Sequence, residues 1–296
     1  MNHPLCIGPA PALDRIEILD SFTPGQPNRV RQTVLRAAGK AINTAYALRR
    51  LGYTPTVAGF LGGHHGALIR RQLKDAGIQD AHTTTQAETR LCTTLAAPNQ
   101  TTEIIEPPAA PATGEEQAQF LDTCRTLIPQ ASIVLLTGTC PPFLPEKTYA
   151  TLAQIVQNAT IPLIVDTSGK ALLSTLPSNP LLVKINTTEL AQTGATPKQL
   201  IDLGAANLLV TDGPAEATLY TPKNTIRLKP QTIQEVNPIG SGDAANAGFI
   251  HAWYCAQPVE NAAAIALACA TASATTLTPS DLDPETIDNY LPQVIQ

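Results

Sequence analysis

From about residue 130 onward, short apolar runs closed by Gly, Asp or Ser alternate with longer amphipathic stretches, a pattern that restricts this part of the chain to strand–helix units. The runs are 132–136, 162–166, 181–184 and 207–211. Their nearly continuous apolar character is that of strands buried on both faces, so a parallel sheet covered by helices follows. Helix candidates lie near 145–157 and 197–204, with earlier ones near 40–51, 65–76 and 115–128. Loops at the C-terminal ends of such strands are where catalytic residues are expected. Aromatic residues make up only 4% of the chain, against 43% hydrophobic residues, so the core must be built from Ala, Leu, Ile and Val packed into tight layers.

Two segments break the pattern. Residues about 12–36 and 84–106 are rich in Thr, Arg, Gln and Ile, with partial alternation and no helical period. They read as antiparallel strands outside the main sheet, a small β lid inserted in two pieces into a single domain spanning 1–296. The Pro/Ala stretch 107–111 would return the chain from lid to body.

Charge and cysteine usage exclude several classes. The formal charge is −5, and no basic cluster exceeds the pairs Arg49-Arg50 and Arg70-Arg71, which argues against nucleic acid and anionic membrane as partners. Cys6, Cys92, Cys124, Cys140, Cys255 and Cys269 are scattered without a C-x-x-C pair and read as buried free thiols of a reducing compartment. The alanine-rich stretch 262–274 is far shorter than the roughly 20 apolar residues that a membrane span needs, so a packed helix in a soluble, cytoplasmic protein is expected.

The chemistry concentrates in the run 237–249, where Gly240, Ser241 and Gly242 precede Asp243 at the start of a helix. Without side chains at 240 and 242, backbone N–H groups of the first turn can approach an anion closely and add the positive end of the helix dipole. A carboxylate beside that anion is the arrangement phosphoryl transfer needs, with donors for the moving phosphoryl group and a base for the attacking hydroxyl. An acidic residue in the first turn of an ordinary helix is the simpler alternative. The run also fits the loose dinucleotide pattern G-x-G-x-x-[GA], but it comes late in the chain and would set Asp243 against a pyrophosphate.

Several stretches, in order along the chain, resemble the PfkB (ribokinase-like) carbohydrate kinases, most closely the phosphofructokinase and tagatose-6-phosphate kinase branch. They are Pro11-Ala12-Leu13-Asp14, Asn28-Arg29-Val30, Ala38-Gly39-Lys40-Ala41-Ile42-Asn43, Leu61-Gly62-Gly63, Thr89-Arg90, Thr102-Glu103-Ile104-Ile105-Glu106-Pro107, Asp166-Thr167-Ser168-Gly169, Lys184-Ile185-Asn186 with Glu189, and Gly240-Ser241-Gly242-Asp243. The resemblance implies a three-layer α/β/α fold with a mainly parallel sheet and a small β-sheet lid. It implies ATP-dependent phosphorylation of a ketohexose phosphate (fructose 1-phosphate, fructose 6-phosphate or tagatose 6-phosphate), with Asp243 as general base and Gly240, Ser241 and Gly242 holding the γ-phosphate. Asp14, Gly39 and Asn43 would bind sugar hydroxyls, Arg29, Lys40 and Arg90 are candidates to clamp the acceptor's phosphate, and Lys184, Thr211 and Gly213 would lie toward the nucleotide. Asn186 and Glu189 match an N-x-x-E element that helps hold hydrated Mg²⁺, or else they form a helix capping box. A homodimer built through the lid is expected.

Where the resemblance has glycine, this chain has Ala38 and Ala41, each adding a Cβ beside the sugar site; a positive φ at either position would strain the turn. Two alternatives therefore stay open, a kinase of a non-phosphorylated sugar and a non-catalytic sugar-phosphate sensor.

Overall fold

Strands Pro4–Ile7, Ile133–Thr137, Leu163–Asp166 and Leu182–Asn186 lie side by side and parallel in the computed structural model, with their apolar residues buried on both faces. The structure describes residues 2–98, 100–107 and 110–295; Pro108 and Ala109, in the expected return segment, lie outside them. Among the described residues the main sheet has ten strands. Beyond Leu182–Asn186 come parallel Leu208–Thr211, then antiparallel Ala217–Tyr220, Thr225–Lys229 and Gln293–Ile295. On the other flank, Thr56–Ala58 and Gln79–Asp80 continue in parallel.

Alternation along each central strand sends successive side chains into two cores. In Ile133–Thr137, Ile133 and Leu135 join one core while Val134 and Leu136 join the other. The first core is covered by helices Lys40–Arg50, Gly63–Asp75, Ser241–Tyr254 and Val259–Ala274, the second by Gly114–Leu127, Thr148–Asn158, Gly169–Thr175 and Pro197–Asp202. This is the three-layer α/β/α arrangement expected. The alanine-rich helix Val259–Ala274 is packed as anticipated: a Cβ on Gly248 would come 2.8 Å from Cys269 Sγ and 2.9 Å from the Ile265 carbonyl, so the bare Gly248 makes room for the Cys269 side chain and for the neighbouring helix backbone. No described helix is long and apolar enough to cross a membrane.

A separate four-stranded sheet runs in the order Gln32–Ala38, Ala12–Ile18, Leu91–Ala97, Gln100–Ile105. The outer pairs are antiparallel, but the central pair Ala12–Ile18 and Leu91–Ala97 is parallel, which corrects the all-antiparallel expectation. The connection between these two strands runs back through the body helices Lys40–Arg50 and Gly63–Asp75, so both strands leave the body in the same direction. Residues 83–85 do not join this sheet; they pair with Phe60–Gly62 in a two-stranded one. Ile16, Ile18, Val34 and Ala96 on one face of the four-stranded sheet pack with Leu277 of the body. Of the six free thiols, Cys255 is exposed and Cys92 and Cys140 are half-buried, so only Cys6, Cys124 and Cys269 fit the buried reading.

Candidate active site

Asp243 opens the helix Ser241–Tyr254 at the level where the central strands end, and its carboxylate is held rather than free. Asn43, from helix Lys40–Arg50, donates Nδ2 to Asp243 Oδ2 at 2.9 Å, and the neighbouring Thr44 hydroxyl donates to the Asp243 carbonyl at 3.2 Å. Burial, reinforced by the negative charge of Asp166 and opposed by Lys40, Asn43 and Lys184, raises the Asp243 pKa from 3.8 to about 7. A carboxyl poised there can exchange a proton near neutral pH.

Asp166, the end of its strand, organises the cations around that carboxyl. It accepts from Lys40 Nζ at 2.9 Å, from Asn246 Nδ2 at 2.6 Å, and lies 2.9 Å from Lys184 Nζ. Burial alone would raise its pKa; the Lys184 and Lys40 charges, with the hydrogen bonds from Lys40 and Asn246, overcome that and hold it below the usual carboxylate range. Lys40 is thus pinned to the main sheet by Asp166 and, at 3.3 Å, by Glu189, with its ammonium raised above its usual pKa by their charges against the cost of burial. The sequence pattern by itself gives Asp166 no assigned role. The signal for one was an acidic residue closing a fully apolar strand.

Gly240 caps the helix with φ +80°, and Ser241 Oγ is buried without a partner among the described residues. A Cβ on Gly242 would sit 3.1 Å from Lys184 Nζ, so the bare backbone lets that ammonium reach the cradle. These features suit the γ end of a nucleotide. Asn186 and Glu189 form a full capping box on the helix Thr187–Thr193: Asn186 Oδ1 accepts from Glu189 N at 2.8 Å and Glu189 Oε2 accepts from Asn186 N at 2.9 Å. With these atoms engaged, the pair fits water-mediated contact with Mg²⁺ rather than direct ligation, and among the described residues no three His, Cys, Asp or Glu side chains converge as a metal cage. Thr211 pairs with Asn186 at the C-terminal ends of adjacent parallel strands, and Gly213 follows at φ +54°, so both lie at the same end of the sheet.

Asp14 approaches from the lid. It is buried, accepts from Thr94 Oγ1 at 3.2 Å, and burial lifts its pKa to about 6 against that hydrogen bond. The positive φ in the glycine turn falls at Gly39 (+107°), whose Cβ would meet Pro11 Cα at 2.9 Å, and at neither Ala38 nor Ala41. Ala41 occupies space opened by Gly8, whose Cβ would come 2.6 Å from that of Ala41. Arg90 donates to the Ala10 carbonyl at 3.2 Å and to the Glu106 carbonyl at 3.4 Å, and its buried Nε has no partner among the described residues. It lines a pocket walled by Pro9, Pro11, Phe60, Pro141 and Phe143. Arg29 is exposed on the loop 19–31, with no hydrogen bond or ion pair to Asp14, Lys40 or Arg90.

The sequence profile described as pfkB family carbohydrate kinase matches residues 1–286. The chain belongs to the pfkB family of carbohydrate kinases. It is 31% identical over 279 residues to a 1-phosphofructokinase of Borreliella burgdorferi, covering 89% of each chain. To a 1-phosphofructokinase of Bacillus subtilis it is 28% identical over 295 residues, covering 96% of each. The tetrameric inhibited form of phosphofructokinase-2 from Escherichia coli superposes with a TM-score of 0.86 at 23% identity over 98% of this chain and 99% of that one, a likeness of fold. As a family member the chain is an ATP-dependent sugar kinase, a transferase acting on an alcohol group, and the dinucleotide reading of 240–245 falls away.

Proposed function

We propose that this enzyme transfers the γ-phosphoryl group of ATP to a hydroxyl of a ketohexose phosphate, with fructose 1-phosphate the first candidate given the naming of its curated relatives. One observation carries the reading. Asp243, raised to about 7, is aimed by Asn43 beside the Gly240–Gly242 cradle, with Lys184 next to it. Asp243 takes the proton of the acceptor hydroxyl as its oxygen bonds to the γ-phosphorus and the bond to ADP breaks. Backbone N–H groups of the cradle and the Lys184 ammonium hold the charge that moves. Mg²⁺, when bound, neutralises phosphate charge, and Glu189 would orient its waters. Asp14 and Gly39 contact sugar hydroxyls from the lid side. Arg90 would meet the acceptor's own phosphate from the pocket that it lines with Pro9, Pro11 and Phe60.

The enzyme is read as a cytoplasmic homodimer joined through the lid. On the outward face of the lid sheet, Leu35, Arg15, Thr93 and Ile104 fall in one cross-strand row, and Leu35 and Ile104 at its ends are 45% and 55% exposed. Turnover measured with ATP against fructose 1-phosphate, fructose 6-phosphate, tagatose 6-phosphate, free fructose and free tagatose tests the substrate. The phosphorylated ketohexoses should be preferred by at least tenfold in kcat/KM. Equal use of the free sugars would move the enzyme to the ribokinase or fructokinase type, and absence of turnover on all of them would overturn the ketohexose-phosphate assignment.

A further inference from the structure

Residues 276–281 form a loop wedged between the phosphate cradle and the lid. On the cradle side, Ser280 is buried, holds φ +55°, and donates its hydroxyl to the Gly240 carbonyl at 2.9 Å. The contact is close: a Cβ on Gly240 would meet Ser280 N and Pro279 Cβ at 2.9 Å. A second tie is Asn237, fully buried, which donates Nδ2 to the Leu277 carbonyl at 2.8 Å. On the lid side, Arg36 donates to the Pro279 carbonyl while its guanidinium stacks 4.2 Å above the Tyr46 ring. Arg36 is also the cross-strand partner of Asp14. One pair of lid residues therefore holds the proposed acceptor contact and the handle on the loop that braces Gly240. A left-handed backbone at a residue with a Cβ is sustained by surrounding contacts, and here those contacts come from both halves of the site.

We propose that Arg36 and Ser280 are positioning residues that link the acceptor to the phosphate cradle, so that a sugar held at Asp14 fixes the lid strand, the 276–281 loop and Gly240 together and tightens nucleotide binding. The proposal rests on the reading of Asp14 as an acceptor contact and of 240–242 as the phosphate cradle. Coupling of this kind is reciprocal, so nucleotide must tighten acceptor binding by the same factor.

The test is the Kd of a non-hydrolysable ATP analogue, with Mg²⁺, measured by calorimetry with and without saturating acceptor. The acceptor is whichever carbohydrate the wild-type enzyme turns over best, so a wrong ketohexose-phosphate assignment and a failed link give different results. Wild type should bind the analogue about fivefold or more tightly when acceptor is present. In Arg36→Met, which keeps a long apolar stem over Tyr46, the ratio should fall to near one while the Kd for analogue alone stays within about twofold. A purely structural Arg36 would lower thermal stability and leave the ratio intact. Ser280→Ala keeps the Cβ while deleting the hydroxyl, and it should reduce the ratio in the same way; it decides the matter if Arg36→Met does not fold. A wild-type ratio of one, or a ratio unchanged in the folded variant, overturns the link.

Discussion

At Asp243 the burial that suits the proposed base also carries a cost. Its folded-state pKa is raised from 3.8 to about 7, so the folded protein favours the protonated carboxyl, and the stability this gives at low pH is lost as pH rises from about 4 through about 7. Asp243→Asn keeps the shape and removes that loss. The variant should therefore gain thermal stability relative to wild type at pH 8 compared with pH 5, while kcat falls by about 10²–10⁴. Wild-type kcat/KM should rise with pH through an apparent pKa near 7; activity of the variant within threefold of wild type would remove Asp243 from the chemistry. Arg90→Ala should raise KM for the sugar phosphate about 10- to 10²-fold, since a charge-assisted contact to phosphate contributes about 1.5–3 kcal/mol, and leave KM for ATP unchanged. An equal loss on free and phosphorylated sugars would set Arg90 apart from the phosphate. Asp243 and its glycines were legible because their chemistry is local to four residues. Asn43 was legible only as a sugar ligand. Its bond to Asp243 spans 200 positions, and no spacing in the sequence encodes it.

At the scale of elements, the helix Thr187–Thr193 shows how one pair of residues answers two questions. Asn186 and Glu189 form the cap, and the other oxygen of Glu189 faces Lys40. Glutamine can serve at the third position of a capping box, so Glu189→Gln preserves the cap and removes only the charge. Its melting temperature should match wild type, and the Mg²⁺ concentration for half-maximal rate should rise, because a neutral amide orients metal-bound water less well. A drop in melting temperature with unchanged Mg²⁺ dependence would reduce the Glu189 charge to its ion pair with Lys40. Element types in the body were readable from the sequence pattern, since each central strand is a mainly apolar run with its polar residues at or near the C-terminal end. The lid was harder: its strand direction depends on how the chain crosses the body between Ile18 and Leu91, which alternation within a strand does not record.

At the scale of the molecule, Leu35 and Ile104 remain exposed on a sheet whose opposite face is already used against Leu277. Sedimentation at micromolar protein should give a dimer, and Leu35→Lys combined with Ile104→Lys should shift it toward monomer; a wild-type monomer would refute the lid interface. The division of labour between lid and body reaches further. Asp14 stands on a sheet built from two excursions of the chain, whereas Asp166, Lys184, Asn246 and the cradle belong wholly to the body. Inheritance can then act on the two halves at different tempos. On the proposed reading of Asp14 and the cradle, recombination that exchanges 12–38 and 91–105 between relatives would offer lineages a new diet of sugars while the nucleotide half passes on unaltered, provided that the donor segment still carries an arginine able to reach the Pro279 carbonyl.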